Sequence, residues 1–186
     1  MTSTNKFLAL LFHLVCATFA EFAGPYELIP LEFGKCSPSD CEETKIFFTN
    51  YKIRKLNRTS YFYSGELNLT IPWSDDVKMM VDISTWGNGG WKPNFYNWEV
   101  GGLCSGLEKY TLKFKNDLFS FLHHPCPVPV GVYNITNLNL SQASERLKTL
   151  VYGKFKAMAK GYDQTGKCVM CWNFVCNCIP KKKKNT

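Results

Sequence analysis

The sequence is poor in the residues from which active sites are built. It holds 3 histidines; His13 lies in an N-terminal apolar run, and His123 and His124 are neighbours at the end of a predicted helix. Adjacent helical side chains point about 100° apart and do not converge on one metal ion, so the pair reads as favourable cations near a helix C-terminus. No G-x-S-x-G, P-loop or H-E-x-x-H pattern is present. The paired acids Glu42-Glu43 and Asp75-Asp76 fall in predicted loops without apolar surroundings to raise a pKa. These absences argue against an enzyme and leave no catalytic residue, metal ligand or cofactor to name. Charge is thin as well. Of a net +7, Lys6 carries one and the run Lys181 to Lys184 carries four, so the body is near +2, too little for a nucleic-acid partner. After residue 20 no apolar run approaches the ~20 residues of a membrane-spanning helix. No internal repeat or linker divides the chain.

What is present points outside the cytosol. The 186 residues are 45% hydrophobic and 15% aromatic, the composition of one globular domain with a real core. Residues 1–20 stand apart: Lys6 precedes an apolar run from Phe7 to Phe19, and Thr18-Phe19-Ala20 ends it with a small-x-small pattern. This predicts a signal peptide removed after about Ala20, a single secreted domain over 21–180, and a basic tail over 181–186. The tail reads as a solvated end, or more sharply as a contact for anionic lipid headgroups. Of 9 cysteines, Cys16 leaves with the leader; Cys36, Cys41, Cys104, Cys126, Cys168, Cys171, Cys176 and Cys178 remain. An even set in a secretory chain predicts disulfides throughout. Cys168-x-x-Cys171 and Cys176-x-Cys178 have spacings seen in zinc and redox sites, but in an oxidising compartment they read as disulfide partners. Acceptor patterns at Asn57, Asn68, Asn134 and Asn139 add N-glycosylation.

Most of the chain has strand character. Val77, Met79, Val81 and Ile83 alternate on one face, Ser60 to Ile71 is rich in Tyr, Phe, Thr and Leu, and Pro72 to Asp76 between them looks like a turn. Residues 60–85 therefore predict an antiparallel pair. Tyr51–Leu56, Gly131–Leu140, Tyr152–Tyr162 and Cys168–Ile179 are further strands, with Asp163 to Gly166 a hairpin turn. Leu107, Tyr110, Phe114, Leu118 and Phe121 fall at helical spacing before Pro125 and predict one amphipathic helix of roughly four turns. The sum is a mainly β, antiparallel β-sandwich with one helix. The face Leu107, Phe114, Leu118, Phe121 and Leu122 is either ordinary core or the wall of an apolar cavity. Residues 86–98 gather Trp86, Trp91, Phe95, Tyr96 and Trp98 among the glycines Gly87, Gly89 and Gly90. They predict a flexible aromatic loop that either caps the core or rims a cavity that meets an amphiphile or a membrane.

Cys126-Pro-Val-Pro-Val-Gly131-Val-Tyr133 matches the C-P-x-P-x-G-x-Y signature of ganglioside-activator-like proteins within the ML lipid-recognition group. Gly153-Lys-Phe155, Gly166-Lys167 and Cys171 continue the match in order. Upstream, Asn57-Arg-Thr, Gly65-Glu-Leu-Asn-Leu and Trp73-Ser-Asp-Asp-Val resemble the arthropod branch that includes the insect CheB chemosensory proteins. Residues 104–179 carry most of the resemblance. It implies a β-sandwich or β-cup with an apolar cavity open at one end, and no catalytic residues. It implies a Cys104–Cys126 pair, and Cys36 or Cys41 as partner of Cys171; Cys168, Cys176 and Cys178 depart from the pattern. The implied function is a carrier of a lipid or hydrophobic small molecule, serving chemosensation or lipid presentation, with a membrane surface, receptor or hydrolase as partner. Burying each CH₂ contributes about 0.8 kcal/mol, so one acyl chain suffices for useful affinity. The alternative is a solid-core interaction protein that uses the Trp86–Trp98 stretch as a hot spot.

Overall fold

A computed structural model describes residues 22–57, 60–140 and 148–181; the expected signal peptide and the tail beyond Lys181 lie outside them. The elements are β1 (Ala23–Gly24), β2 (Tyr26–Lys35), β3 (Ile46–Lys55), β4 (Tyr61–Leu69), β5 (Lys78–Gly87), β6 (Gly90–Gly102), α1 (Leu103–Tyr110), α2 (Leu112–Leu122), β7 (Gly131–Asn139), β8 (Leu150–Val151), β9 (Gly153–Tyr162) and β10 (Cys168–Pro180). The fold is mainly β, and its sheet is not closed. Strands run in the order β6-β5-β9-β10-β3-β4-β7, β2 also pairs with β10, and β1 and β8 form a separate ribbon. All pairings are antiparallel except β10 with β3, which touch at the single parallel bridge Met170–Ile46. The sheet is thus two arms, β3-β4-β7 and β6-β5-β9-β10-β2, jointed at one bridge. Aromatic rings also join the two arms: Phe33 of β2 meets Phe48, Tyr51 and Tyr63, and Trp172 of β10 meets Phe48.

Residues 60–85 do not form the expected hairpin. β4 pairs with β3 and β7, whereas β5 pairs with β6 and β9. Alternation identifies a strand but not its partner, and here the intervening segment carries the chain from one arm to the other. Trp73 pins that segment by exchanging backbone hydrogen bonds of 3.0 Å with Val128.

The helical segment is broken in two at Thr111 (φ −143°, ψ 50°). Its backbone N–H and its hydroxyl both donate to the Leu107 carbonyl, at 2.8 and 3.1 Å, while its own carbonyl accepts from Lys115 N–H. A hydroxyl that bonds the preceding turn competes with helix continuation, so one residue ends α1 and starts α2. The pattern of apolar spacing survives this break, which is why it read as a single helix.

The aromatic stretch is no loose loop either. β5 and β6 form a hairpin with Trp86 opposite Trp91 and Gly87 opposite Gly90. Its turn is Asn88-Gly89, both at positive φ (51° and 78°), the two-residue turn whose twist matches that of paired strands. The glycines close a tight turn instead of loosening a loop. The core proper gathers Ile46, Leu67, Leu69, Trp73, Leu103, Leu118, Leu122, Ile135 and Met170.

Candidate functional site

Alternate residues of a strand share a face, and the register identifies an apolar one spanning four strands. Val81 and Ile83 of β5 stand beside Ala159 and Ala157 of β9, which stand beside Trp172 and Phe174 of β10. Trp98 and Tyr96 of β6 lie opposite Val81 and Ile83. This face looks inward, since Trp98 packs on Tyr110 of α1 with ring centroids 4.5 Å apart and Trp172 packs on Trp73 at 5.9 Å. Its burial is graded along the strands. At one end Gly161, Met170 and Val100 are buried; Val81, Ile83, Ala157, Ala159 and Phe174 are half-buried; at the other end Tyr96 is 56% exposed. Coverage follows the helices: α2 lies chiefly along β7, and α1 is the helix that packs on β5 and β6. The result is a half-covered apolar face, here termed the trough, with the small side chains of Ala157 and Ala159 at its centre and its least covered end toward the β5–β6 turn.

The expected ligand-binding residues divide between three places. Trp98 and Tyr96 are on the trough face, and Phe95 packs against Phe155 at 5.5 Å. Trp86 and Trp91 turn to the opposite face, where the Lys154 ammonium sits 5.1 and 5.5 Å from their ring centroids and that of Lys156 sits 5.3 Å from Trp91. Such contacts contribute about 0.5–1 kcal/mol at exposed sites. Leu118 and Leu122 are buried in the core, with Leu107, Phe114 and Phe121 packed against it. Val81, Ile83, Ala157, Ala159 and Phe174 are not among the residues expected to bind ligand, although Val81 and Ile83 alternate on one face of a predicted strand. The signal for the β9 members was there: Lys154, Lys156 and Lys160 alternate with Phe155, Ala157 and Ala159. Depressions among the described residues lie away from this face's centre. One of about 310 Å³ lies between the 71–77 segment and the 163–165 turn, and one of about 110 Å³ is lined by Met80, Val81, Asp82, Asn97, Met158, Lys160 and Tyr162. Neither is lined by a residue of the expected set.

Disulfides frame this architecture. Cys104–Cys126 brackets the two helices, and Cys36–Cys171 and Cys41–Cys168 tie the segment after β2 to the start of β10. Cys176 and Cys178 form no disulfide, a correction to the expected full pairing. Same-face neighbours on one strand hold their Cβ atoms roughly 6–7 Å apart, against about 3.5–4.5 Å in a disulfide. Burial pushes the Cys176 thiol up to about 12, aided by Cys178, and the Cys178 thiol up to about 11. Protonated, buried thiols are inert. In protein lacking residues 1–20, DTNB should leave both thiols untouched for hours and release two equivalents once denaturant is added; prompt reaction without denaturant would show them reachable.

The remaining polar candidates hold structure. His123 caps α2 in the left-handed region (φ 53°), and His124 lies 6.1 Å from the Tyr133 ring. Asp75 Oδ1 accepts from the backbone N–H groups of Cys104 and Ser105 at 2.9 Å, so it caps α1 from a distant segment. Asp163 accepts from Thr165 and Lys167 and closes its turn. Among the described residues no three His, Cys, Asp or Glu side chains group as metal ligands. Of the glycosylation candidates, Asn134 is exposed on β7. The Asn68 amide donates to the Thr49 hydroxyl at 2.8 Å, and Asn57 accepts from Ser60 N–H. Asn139 lies at the end of β7, and its acceptor Ser141 is outside the described residues. No family model matches the chain, and no curated protein matches it in sequence.

Proposed function

We propose that the protein is a secreted carrier that holds a lipid or other hydrophobic ligand in the trough, between two arms that act as the halves of a β-sandwich. The observation that carries this reading is the apolar inner face of β5, β6, β9 and β10, which is left half-covered along the strands and open at the β5–β6 end. Filling such a face with an acyl chain contributes about 0.8 kcal/mol per CH₂, and no directional contact is needed. The resemblance to ML lipid-recognition proteins and to insect chemosensory proteins points the same way. Three disulfides fit an extracellular setting, and no helix among the described residues is long and apolar enough to cross a membrane.

The outer pair Trp86 and Trp91 supports the reading of that end as a docking side. Trp86 is 45% exposed beside Lys154, and β10 delivers Lys181 close to the start of β9, where Cys178 pairs with Gly153. Aromatic rings with lysines suit the headgroup region of an acidic membrane. Chemosensory delivery and lipid presentation to a hydrolase are both served by such an arrangement.

Native mass spectrometry of the secreted, deglycosylated protein tests the reading. A stoichiometric co-purified lipid or uptake of a fluorescent fatty-acid probe is expected; a clean apo mass with no uptake would favour an interaction protein. Ala157→Trp should abolish uptake by filling the floor while costing about 1–3 kcal/mol of stability. Undiminished uptake in that variant would place any ligand elsewhere.

A further inference from the structure

Trp73 is 2% and Tyr63 3% exposed, yet the Tyr63 hydroxyl, Trp73 Nε1 and Trp172 Nε1 have no hydrogen-bond partner and are shut off from solvent. Buried donors of this kind are nearly always paired. These three belong to one continuous aromatic stack: Trp73 to Trp172 at 5.9 Å, Trp172 to Phe48 at 4.7 Å, and Phe48 to Tyr63 at 5.2 Å. The stack adjoins the trough through Trp172, which stands beside Ala159, next to the buried pair Met170 and Gly161 that closes that end. The remaining unpaired buried atom, Asn173 Oδ1, belongs to the next residue of β10 and so to its other face.

The chemistry of the missing partner follows from the donors. An indole N–H only donates. The Tyr63 hydroxyl stays protonated, since burial, with Tyr51 and Glu66 nearby, pushes its pKa up. The partner is therefore an acceptor. Among the described residues no charged side chain is buried, so nothing there would offset an anion taken out of water. We infer that the closed end of the trough receives an uncharged oxygen acceptor at the head of an apolar chain, an ester or alcohol oxygen and not a carboxylate, through Tyr63, Trp73 and Trp172. Phe48 lies between Trp172 and Tyr63 and, like Trp172, is half-buried. The inference rests on the carrier reading and adds the class of ligand to it.

The test compares methyl dodecanoate, dodecanol and dodecanoate on the secreted chain and on Tyr63→Phe, with titration of affinity and ¹H–¹⁵N spectra of the indoles. The ester and alcohol should bind about tenfold tighter than the carboxylate, with the Trp73 and Trp172 Nε1–H signals shifted on binding. Tyr63→Phe should weaken ester binding about fivefold, the loss of one hydrogen bond, leave dodecanoate unchanged, and leave the apo protein no less stable because the lost hydroxyl had no partner. Equal or tighter binding of dodecanoate overturns the inference, as does chain binding with both indole signals unmoved. Binding of none of the three overturns the carrier reading itself, a result distinct from either.

Discussion

Removing both disulfides at the start of β10 is expected to cost about 2 kcal/mol more than the sum of removing each. Cys36–Cys171 and Cys41–Cys168 close loops of 135 and 127 residues, and in the chain-entropy model a loop of that length contributes about 5 kcal/mol. The two loops are nested. With one bond in place, the other closes a ring of only roughly ten residues, made of 36–41 and 168–171, and contributes about 2–3 kcal/mol. Cys36→Ala/Cys171→Ala should therefore lower stability by about 2–3 kcal/mol, and so should Cys41→Ala/Cys168→Ala. The quadruple variant should lose about 7–8 kcal/mol, which approaches the whole stability of an ordinary domain. Guanidinium unfolding without reductant measures this. A quadruple variant that loses no more than the sum of the pairs would mean that the bonds act through native packing and not through the unfolded chain.

The same nesting has a structural consequence. β3 and β10 share one bridge, Met170–Ile46, too little to hold two arms together. Val169 and Lys45 add one backbone hydrogen bond beside it. The paired disulfides fasten the chain between β2 and β3 to the neighbouring residues 168 and 171, so they reinforce the joint where the sheet is thinnest. Both arms need that joint if Phe33 of β2 is to keep its contacts with Phe48 and Tyr63 of the other arm.

Local signals in the sequence were sound where the deciding interaction is local. The turn at Asp163 to Gly166 and the strands on either side of it follow from residues within a few positions of each other. The apolar spacing of Leu107 to Phe121 gave the helical segment, although the Thr111 hydroxyl, a single atom, divides it. Partner choice was not legible. β4 and β5 are adjacent in sequence, but the Trp73–Val128 bridge and the inter-arm crossing send them to different neighbours. The Asn88-Gly89 dipeptide was a readable hairpin signal, obscured by the aromatic residues around it. Had that turn been placed, alternation would have put Trp86 and Trp91 on the side away from Trp98 and Tyr96. Burial is the other quantity that sequence hides: Val81, Ile83, Ala157 and Ala159 look like core, and only the short reach of α1 leaves them half-covered. Cys176 and Cys178 illustrate the same limit, because an even cysteine count says nothing about which thiols can reach each other.

Gly102→Ala is the second substitution expected to have a large effect, and it acts through Asp75. The first N–H groups of a helix have no partner within it. In α1 the Leu103 N–H bonds the Val77 carbonyl, and the N–H groups of Cys104 and Ser105 bond Asp75 Oδ1, with the Ser105 hydroxyl at 3.1 Å as a third donor. Gly102, the N-cap residue, supplies no side chain. Any Cβ there would collide with the Asp75 carboxylate, although the backbone at φ −67° suits alanine. Asp75→Ala should cost about 1–2 kcal/mol, the usual loss of a helix cap. Gly102→Ala should cost about 2–3 kcal/mol, since it displaces the cap and also crowds the site. In the double variant the crowding is gone, so its cost should fall close to that of Asp75→Ala alone; simple addition of the two would show that the residues act separately. Acid titration gives an independent reading. Partial burial alone would raise the Asp75 pKa, but the hydrogen bonds from Ser105 and Cys104, with Lys78 nearby, outweigh it and hold the carboxyl below its ordinary value. A carboxyl lowered in the folded state stabilises it above the unfolded value of about 3.9 and loses that contribution as the pH falls through the folded pKa. Asp40 and Asp163 are lowered too, so the wild type loses stability for several reasons in acid. The difference between wild type and Asp75→Ala isolates one of them: it should be full at pH 7, constant down to about pH 5, and shrink steadily below about pH 4. A difference that does not change with pH would mean that the Asp75 charge contributes nothing to the cap.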